Sequence, residues 1–135
     1  MSRFVRIPEA ASLGIHAAAI LAAEPERSVP TRELAGRLQA SEAHLAKVMQ
    51  RLARAGLVRS TRGPKGGFRL RRPPAEISLL DVYEAVDGRV EASACLFGTP
   101  VCGRATCIFG DYLTEFDERF ASYLANTTLG ELVET

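Results

Sequence analysis

Residues 41–72 read SEAHLAKVMQRLARAGLVRSTRGPKGGFRLRR, and this stretch decides the fold. Ser41 offers a hydroxyl to the orphan amides of a first helical turn, and Leu45, Val48, Met49, Leu52 and Ala53 then recur at i, i+3, i+4, i+7 and i+8 as one apolar stripe. Gly56 ends that helix. Leu57 to Thr61 is β-compatible, residues 62–67 gather turn formers, and Phe68-Arg69-Leu70 alternates apolar and basic before Pro73-Pro74 interrupts. The reading is a basic hairpin following a basic helix.

Upstream, Val29-Pro30-Thr31 leads into a short helix over 32–38, with Thr31 as its N-cap and Leu34, Ala35 and Leu38 at helical spacing. Gln39-Ala40 is all that separates it from the helix at Ser41. Two helices joined by so short a turn, the second longer and basic, form the helix-turn-helix whose second helix enters the DNA major groove. The hairpin then supplies a wing. An earlier helix is expected from Pro8-Glu9 to about Ala23, where proline sits at a position needing no amide and an acid complements the helix dipole.

Charge distribution agrees. The 135-residue chain has a net charge of +1, but residues 41–72 hold nine Lys and Arg against the single acid Glu42. The rest of the chain is therefore acidic. A basic block set beside an acidic remainder is the footprint of a polyanion-binding face, because clustered cations release condensed counterions from phosphates. A solvated helix face is the alternative reading of the charge alone.

Downstream, Ser78 is placed to cap a helix through Leu79, Leu80, Val82, Tyr83 and Val86 that stops at Gly88. A cysteine-bearing loop follows. A final amphipathic helix is expected from Ile108 to about Leu124, with Phe109, Leu113, Phe116 and Phe120 on one face. That stripe is large for a surface helix, and pairing with the same helix of a second copy accounts for it better than packing on its own domain. The fold expected is thus mainly α with a small β-wing: a winged helix-turn-helix over 1–74, then a linker helix, cysteine loop and long C-terminal dimerisation helix over 75–135, packed as one compact unit. Two-fold association would set two recognition helices a duplex turn apart, suiting a pseudo-palindromic operator in double-stranded DNA.

A hydrophobic content of 47% and a charged content of 24% exclude disorder and fibrous repeats. No apolar run approaches the roughly 18 residues of a membrane span and no signal pattern opens the chain, so a cytoplasmic protein without a membrane partner is expected. Nor does an enzyme emerge. His16 and His44 sit on elements away from the cysteines, and residues 63–67 lack the strand-loop-helix setting of a phosphate-binding loop.

The three cysteines, Cys95, Cys102 and Cys107, share one loop at C-x6-C-x4-C spacing. An odd number argues against a disulfide framework, and structural zinc would want a tighter C-x2–4-C pair with a fourth Cys or His. Thiolates are the ligands of iron–sulfur clusters, and Gly98, Pro100 and Gly103 allow the loop to bend. The rival reading keeps the DNA-binding module and switches it by cysteine oxidation or by a partner protein. Arg104 is the one cation inside the loop that could lower a thiol pKa.

Taken together, residues 44–58, the Arg62-Gly63-Pro64-Lys65-Gly66-Gly67-Phe68 wing, the Ala85-Val86-Asp87-Gly88 helix end and the three cysteines resemble the Rrf-two family of bacterial winged-helix regulators over nearly the whole chain. The resemblance implies a homodimeric transcriptional regulator with a 2Fe-2S or 4Fe-4S cluster on Cys95, Cys102 and Cys107. The commoner spacing there is C-x5-C-x5-C, which leaves the outer pair equally far apart but moves the middle cysteine. Some members take a fourth ligand from a His three residues past the last cysteine, where this chain has Gly110. Others take an acid near the start of the first helix of the opposite subunit, and Glu9 stands there, with His16 in reserve; the plain alternatives are a helix-dipole acid and a packed histidine. Arg62 falls where the family inserts a minor-groove arginine, a role suited to a guanidinium held at a Gly-Pro turn against the electronegative groove of A·T-rich DNA. Ser41, Glu42, His44 and Lys47 in the first turns of the recognition helix, Arg51 further along it and Lys65 in the wing complete the expected DNA-contact set. Phosphate clamping without sequence meaning is the alternative for each.

Overall fold

A computed structural model describes residues 6–90, 95–97, 99 and 101–134. Its helices are α1 (Glu9–Ala23), α2 (Thr31–Leu38), α3 (Glu42–Arg54), α4 (Leu79–Asp87), α5 (Tyr112–Asn126) and α6 (Leu129–Glu134), with strands β1 (Val58–Thr61) and β2 (Gly67–Leu70) between α3 and α4. This is the mainly helical winged architecture that the sequence led one to expect.

The centre of the molecule is α1. Its buried residues are Ala11, Leu13, Gly14, Ala17, Ala18, Leu21 and Ala22, mostly small, and small side chains let α3 and α4 come close on either side. The α3 stripe meets it as patterned: Leu45, Val48, Met49 and Leu52 are buried, joined by Leu34 of α2 and Val82 and Val86 of α4. Residues on both sides of position 74 enter this one hydrophobic cluster, from Leu13 to Leu129. Burying side chains of this size contributes about 1.5–3 kcal/mol each before entropy is counted.

Local chemistry sets the ends. Thr31 is the first residue of α2 rather than its cap; Pro30 occupies the cap position and makes no side-chain bond, since its ring carries no polar atom, but its fixed φ sets the entry angle. The turn into α3 runs through Gln39 in the left-handed region (φ 52°), with the Ala40 amide closing on the Ala35 carbonyl at 2.9 Å. Ser41 caps α3 as expected, and Ser78 caps α4 in a reciprocal box with Asp81.

The wing pairs β1 with β2 antiparallel, Val58 opposite Leu70 and Thr61 opposite Gly67. Val29 adds a bridge to Phe68, which binds the wing's base to the α1–α2 connection. Gly67 is required by that contact, because a Cβ there would lie 2.4 Å from the Val29 carbonyl carbon.

Two further corrections concern the C-terminal helices. The last long helix begins at Tyr112 and not at Ile108: residues 108–111 form a turn, in which Gly110 takes φ 60° and its amide bonds the Cys107 carbonyl. The apolar spacing of Ile108 and Phe109 is helical, but the backbone conformation at Gly110 is not. The helix α6 was not anticipated at all. It is anchored by the buried Leu129, whose amide bonds the Ile77 carbonyl at 2.9 Å, while Thr128 bridges to Ser78. Among the described residues no helix is long and apolar enough to cross a membrane.

Candidate nucleic-acid interface and metal centre

The start of α3 and the wing tip carry most of the residues expected to touch DNA. Ser41 Oγ accepts the His44 amide at 3.1 Å, satisfying one of the orphan donors that open α3 and fixing its first turn. Glu42 and Lys47 are exposed and His44 is half-buried on that turn. Arg62 and Lys65 stand exposed at the hairpin tip, where the Gly66 amide bonds the Gly63 carbonyl at 2.9 Å and closes the turn. Arg51 behaves differently: its guanidinium donates to the Val86 carbonyl of α4 at 2.7 Å, so it is engaged within the protein.

The base of the wing holds a residue that the sequence had shown only as part of the charge count. Arg69 lines a groove with Ser28, Pro64, Lys65 and Gly66, and its Nε is shielded from solvent without a hydrogen-bond partner among the described residues. The alternation Phe68-Arg69-Leu70 was the available signal.

Behind the interface, α2 is braced to the end of α1 by exposed ion pairs. Arg27 pairs with Glu33 and Glu24, and Arg37 reaches Glu24 at 2.6 Å. The Arg37 hydrogen bond lowers the Glu24 pKa below the usual carboxylate value, and the Arg27 hydrogen bond does the same for Glu33.

Cys95 and Cys107 are half-buried and Cys102 is exposed; none of the three is in a disulfide. At both half-buried cysteines the amide two residues on, of Phe97 and of Phe109, points at the sulfur from 3.4 Å. Hydrogen bonds to the sulfurs are one of the levers that tune iron–sulfur potentials. The donor chemistry therefore fits an iron–sulfur cluster. The single chain does not converge the donors: among the described residues no group of three or more His, Cys, Asp or Glu is arranged to hold a metal ion. Gly98 and Pro100, expected to help the loop bend, lie outside the described residues.

Glu9 is exposed in the first turn of α1. His16 is also exposed, with Nδ1 2.7 Å from the Ser12 carbonyl one turn back, a local bond typical of a surface histidine. Between α4, the cysteine loop and α5 lies a cleft of about 670 Å³, with Tyr83, Val90, Leu96, Phe116 and Phe120 in its wall. Burial, followed by the charge of Asp87, pushes the Tyr83 hydroxyl pKa up.

The stripe on α5 divides. Phe120 and Leu124 join the chain's own core, and Phe116 stacks on Phe120 with ring centroids 5.9 Å apart. Tyr112, Phe116 and Tyr123 stay 77%, 49% and 58% exposed, continuous with exposed Ile108 and Phe109. An apolar face of this kind, left uncovered by the chain's own core, marks an interaction surface.

Comparison with known proteins agrees with this arrangement. The Rrf2 family, described as an iron-dependent transcriptional regulator, matches residues 7–135. The HTH-type transcriptional regulator IscR of Aliivibrio salmonicida is 37% identical over 109 residues, which cover 80% of this chain but only 64% of the relative. The fold is similar to that of CymR, the global cysteine regulator of B. subtilis, at TM-score 0.79 and 23% identity over 97% of this chain and 98% of that one. The oxidized form of Staphylococcus aureus CymR is similar at TM-score 0.76 and 26% identity, with the same coverage of both chains.

Proposed function

Because this chain belongs to the Rrf2 family of transcriptional regulators, we propose that it is a homodimeric, DNA-binding regulator whose operator affinity is set by an iron–sulfur cluster on Cys95, Cys102 and Cys107, with Glu9 contributed by the second copy. The observation that carries this is the pairing of a half-buried thiol with a backbone amide at both ends of the loop, on a chain whose relatives include IscR. When bound, a 2Fe-2S or 4Fe-4S cluster supplies a centre sensitive to oxidants and to iron supply.

The chain's own residues do the rest. The exposed faces of Tyr112, Phe116 and Tyr123 pair with the second copy and set two α3 helices for a pseudo-palindromic duplex. Ser41, Glu42, His44 and Lys47 face the major groove, while Arg62 enters the minor groove and Lys65 neutralises phosphate. Glu9, exposed on α1, is free of the chain's own core and open to a partner's loop.

A second reading has a specific observation behind it. The likeness to the oxidized form of a CymR, together with three cysteines outside any disulfide that form no metal-holding group among the described residues, supports a cluster-free regulator switched by cysteine oxidation. The test measures affinity for duplexes selected from a random pool, using the protein purified anaerobically, then after chelation of iron, then after peroxide treatment of the metal-free form. The cluster reading expects the affinity to change on iron removal, with coupling of roughly 5–150-fold. The thiol reading expects the change only on peroxide treatment. Equal affinity in all three states overturns both.

A further inference from the structure

We propose that Arg51 and Glu84 are positioning residues that fasten the start of the cysteine loop to the recognition helix through the last turn of α4. The inference rests on the reading above, in which the state of the loop governs DNA binding.

Two hydrogen bonds make the link. From α3, Arg51 Nη1 donates to the Val86 carbonyl at 2.7 Å, across 35 positions of sequence. From the loop, the Val90 amide donates to Glu84 Oε2 at 2.9 Å. Both bonds end on one helical turn, and that turn is where α4 stops: Gly88 leaves it at φ 88°, with its amide on the Glu84 carbonyl at 3.0 Å. The last carbonyls of a helix lack intrahelical donors and carry the negative end of its dipole, so a guanidinium placed there is held by charge as well as by its hydrogen bond. Val86 itself is buried where α1, α3 and α4 meet, which leaves the turn little room to move alone. A displacement of Val90 therefore pulls on Glu84, and a shift of the α4 terminus pulls on Arg51. Arg51 lies in the last turn of α3, while the groups proposed to read DNA lie in its first turns. The link thus tilts the helix about its buried stripe without touching the bases.

Amide hydrogen exchange on the full-length, metal-free protein tests this without DNA or cluster, so its failure is distinct from failure of the functional reading. In Arg51→Met, exchange at Gly88 and Val90 should rise by about threefold or more, although neither amide touches Arg51. In Glu84→Ala, the amides of Ala53, Arg54 and Ala55 should rise similarly. Arg51→Lys, which keeps a cationic donor, should restore much of the protection. Changes confined to the mutated element, or a uniform rise over the whole core, would overturn the link.

Discussion

Gly14 of α1 and Val86 of α4 meet so closely that a Cβ on Gly14 would stand 2.8 Å from Val86 Cγ2, with Val48 Cγ1 of α3 at 3.5 Å. Three helices cross at this point, and it sets how near the α4 terminus comes to the recognition helix. Gly14→Ala gains about 1 kcal/mol of helix propensity and loses a comparable amount to overpacking, so its stability should stay within about 1 kcal/mol of wild type. Gly14→Val has no such offset and should lose about 2–3 kcal/mol. Urea melts of the two variants check the difference.

The cap on the recognition helix gives a smaller, cleaner effect. Removing the Ser41 hydroxyl leaves the His44 amide without its partner, and Ser41→Ala should destabilise by about 1 kcal/mol. Ser41→Asp, which keeps an acceptor and adds a favourable charge at the helix start, should retain stability while weakening DNA binding by repulsion from phosphate. Thermal melts and fluorescence anisotropy separate the two consequences.

At the wing tip, Arg62→Ala should weaken binding to a selected A·T-rich duplex by about 1–3 kcal/mol, and Lys65→Ala should weaken all duplexes alike and reduce the salt slope by about one. Anisotropy titrations at several salt concentrations read both. An Arg62→Ala affinity within about twofold of wild type would remove it from the minor groove.

The helix α3 and the hairpin after it were the most legible elements in the sequence, for a physical reason. The α3 stripe, its serine cap and the glycine-rich hairpin are local patterns, and a local pattern acts within a few residues of itself. The start of α5 was misplaced because one glycine in a left-handed conformation outweighs the apolar spacing of Ile108 and Phe109. The helix α6 escaped notice because six residues show no periodicity; its stability comes from Leu129 and from the backbone bonds that tie residues 127–129 to Ile77 and Leu79. Arg51 illustrates the same limit at the interface. Its place in the basic block suggested DNA, and its guanidinium also reaches a carbonyl 35 residues away. Composition contains no trace of that contact, nor of the Val90 amide on Glu84.

The exposed face of α5 predicts association. Phe116→Asp combined with Tyr123→Asp places charge on the apolar surface while sparing the buried Leu124. Sedimentation should find the double variant monomeric where wild type is dimeric, with its helical circular dichroism retained.

Acid should loosen the brace between α1 and α2. The pKa values of Glu24 and Glu33 are lowered in the folded chain by the Arg37 and Arg27 hydrogen bonds, so their contribution is fully present above the ordinary carboxylate pKa and is lost as pH falls through the lowered folded values. The pairs are exposed, which makes the effect small and salt-sensitive. Melting temperatures from neutral pH down to about pH 3 should fall less steeply for Glu24→Gln with Glu33→Gln than for wild type.

The iron–sulfur cluster proposed for the three loop thiols is open to direct observation. Anaerobic purification followed by a visible spectrum, with iron and acid-labile sulfide counted per chain, tests it most directly. A bound cluster gives a coloured protein with charge-transfer absorption at roughly 320–460 nm, equal amounts of iron and sulfide, and loss of both in Cys102→Ala. A colourless protein that stays free of iron after reconstitution with iron and sulfide would contradict it and leave a winged-helix regulator governed by its thiols.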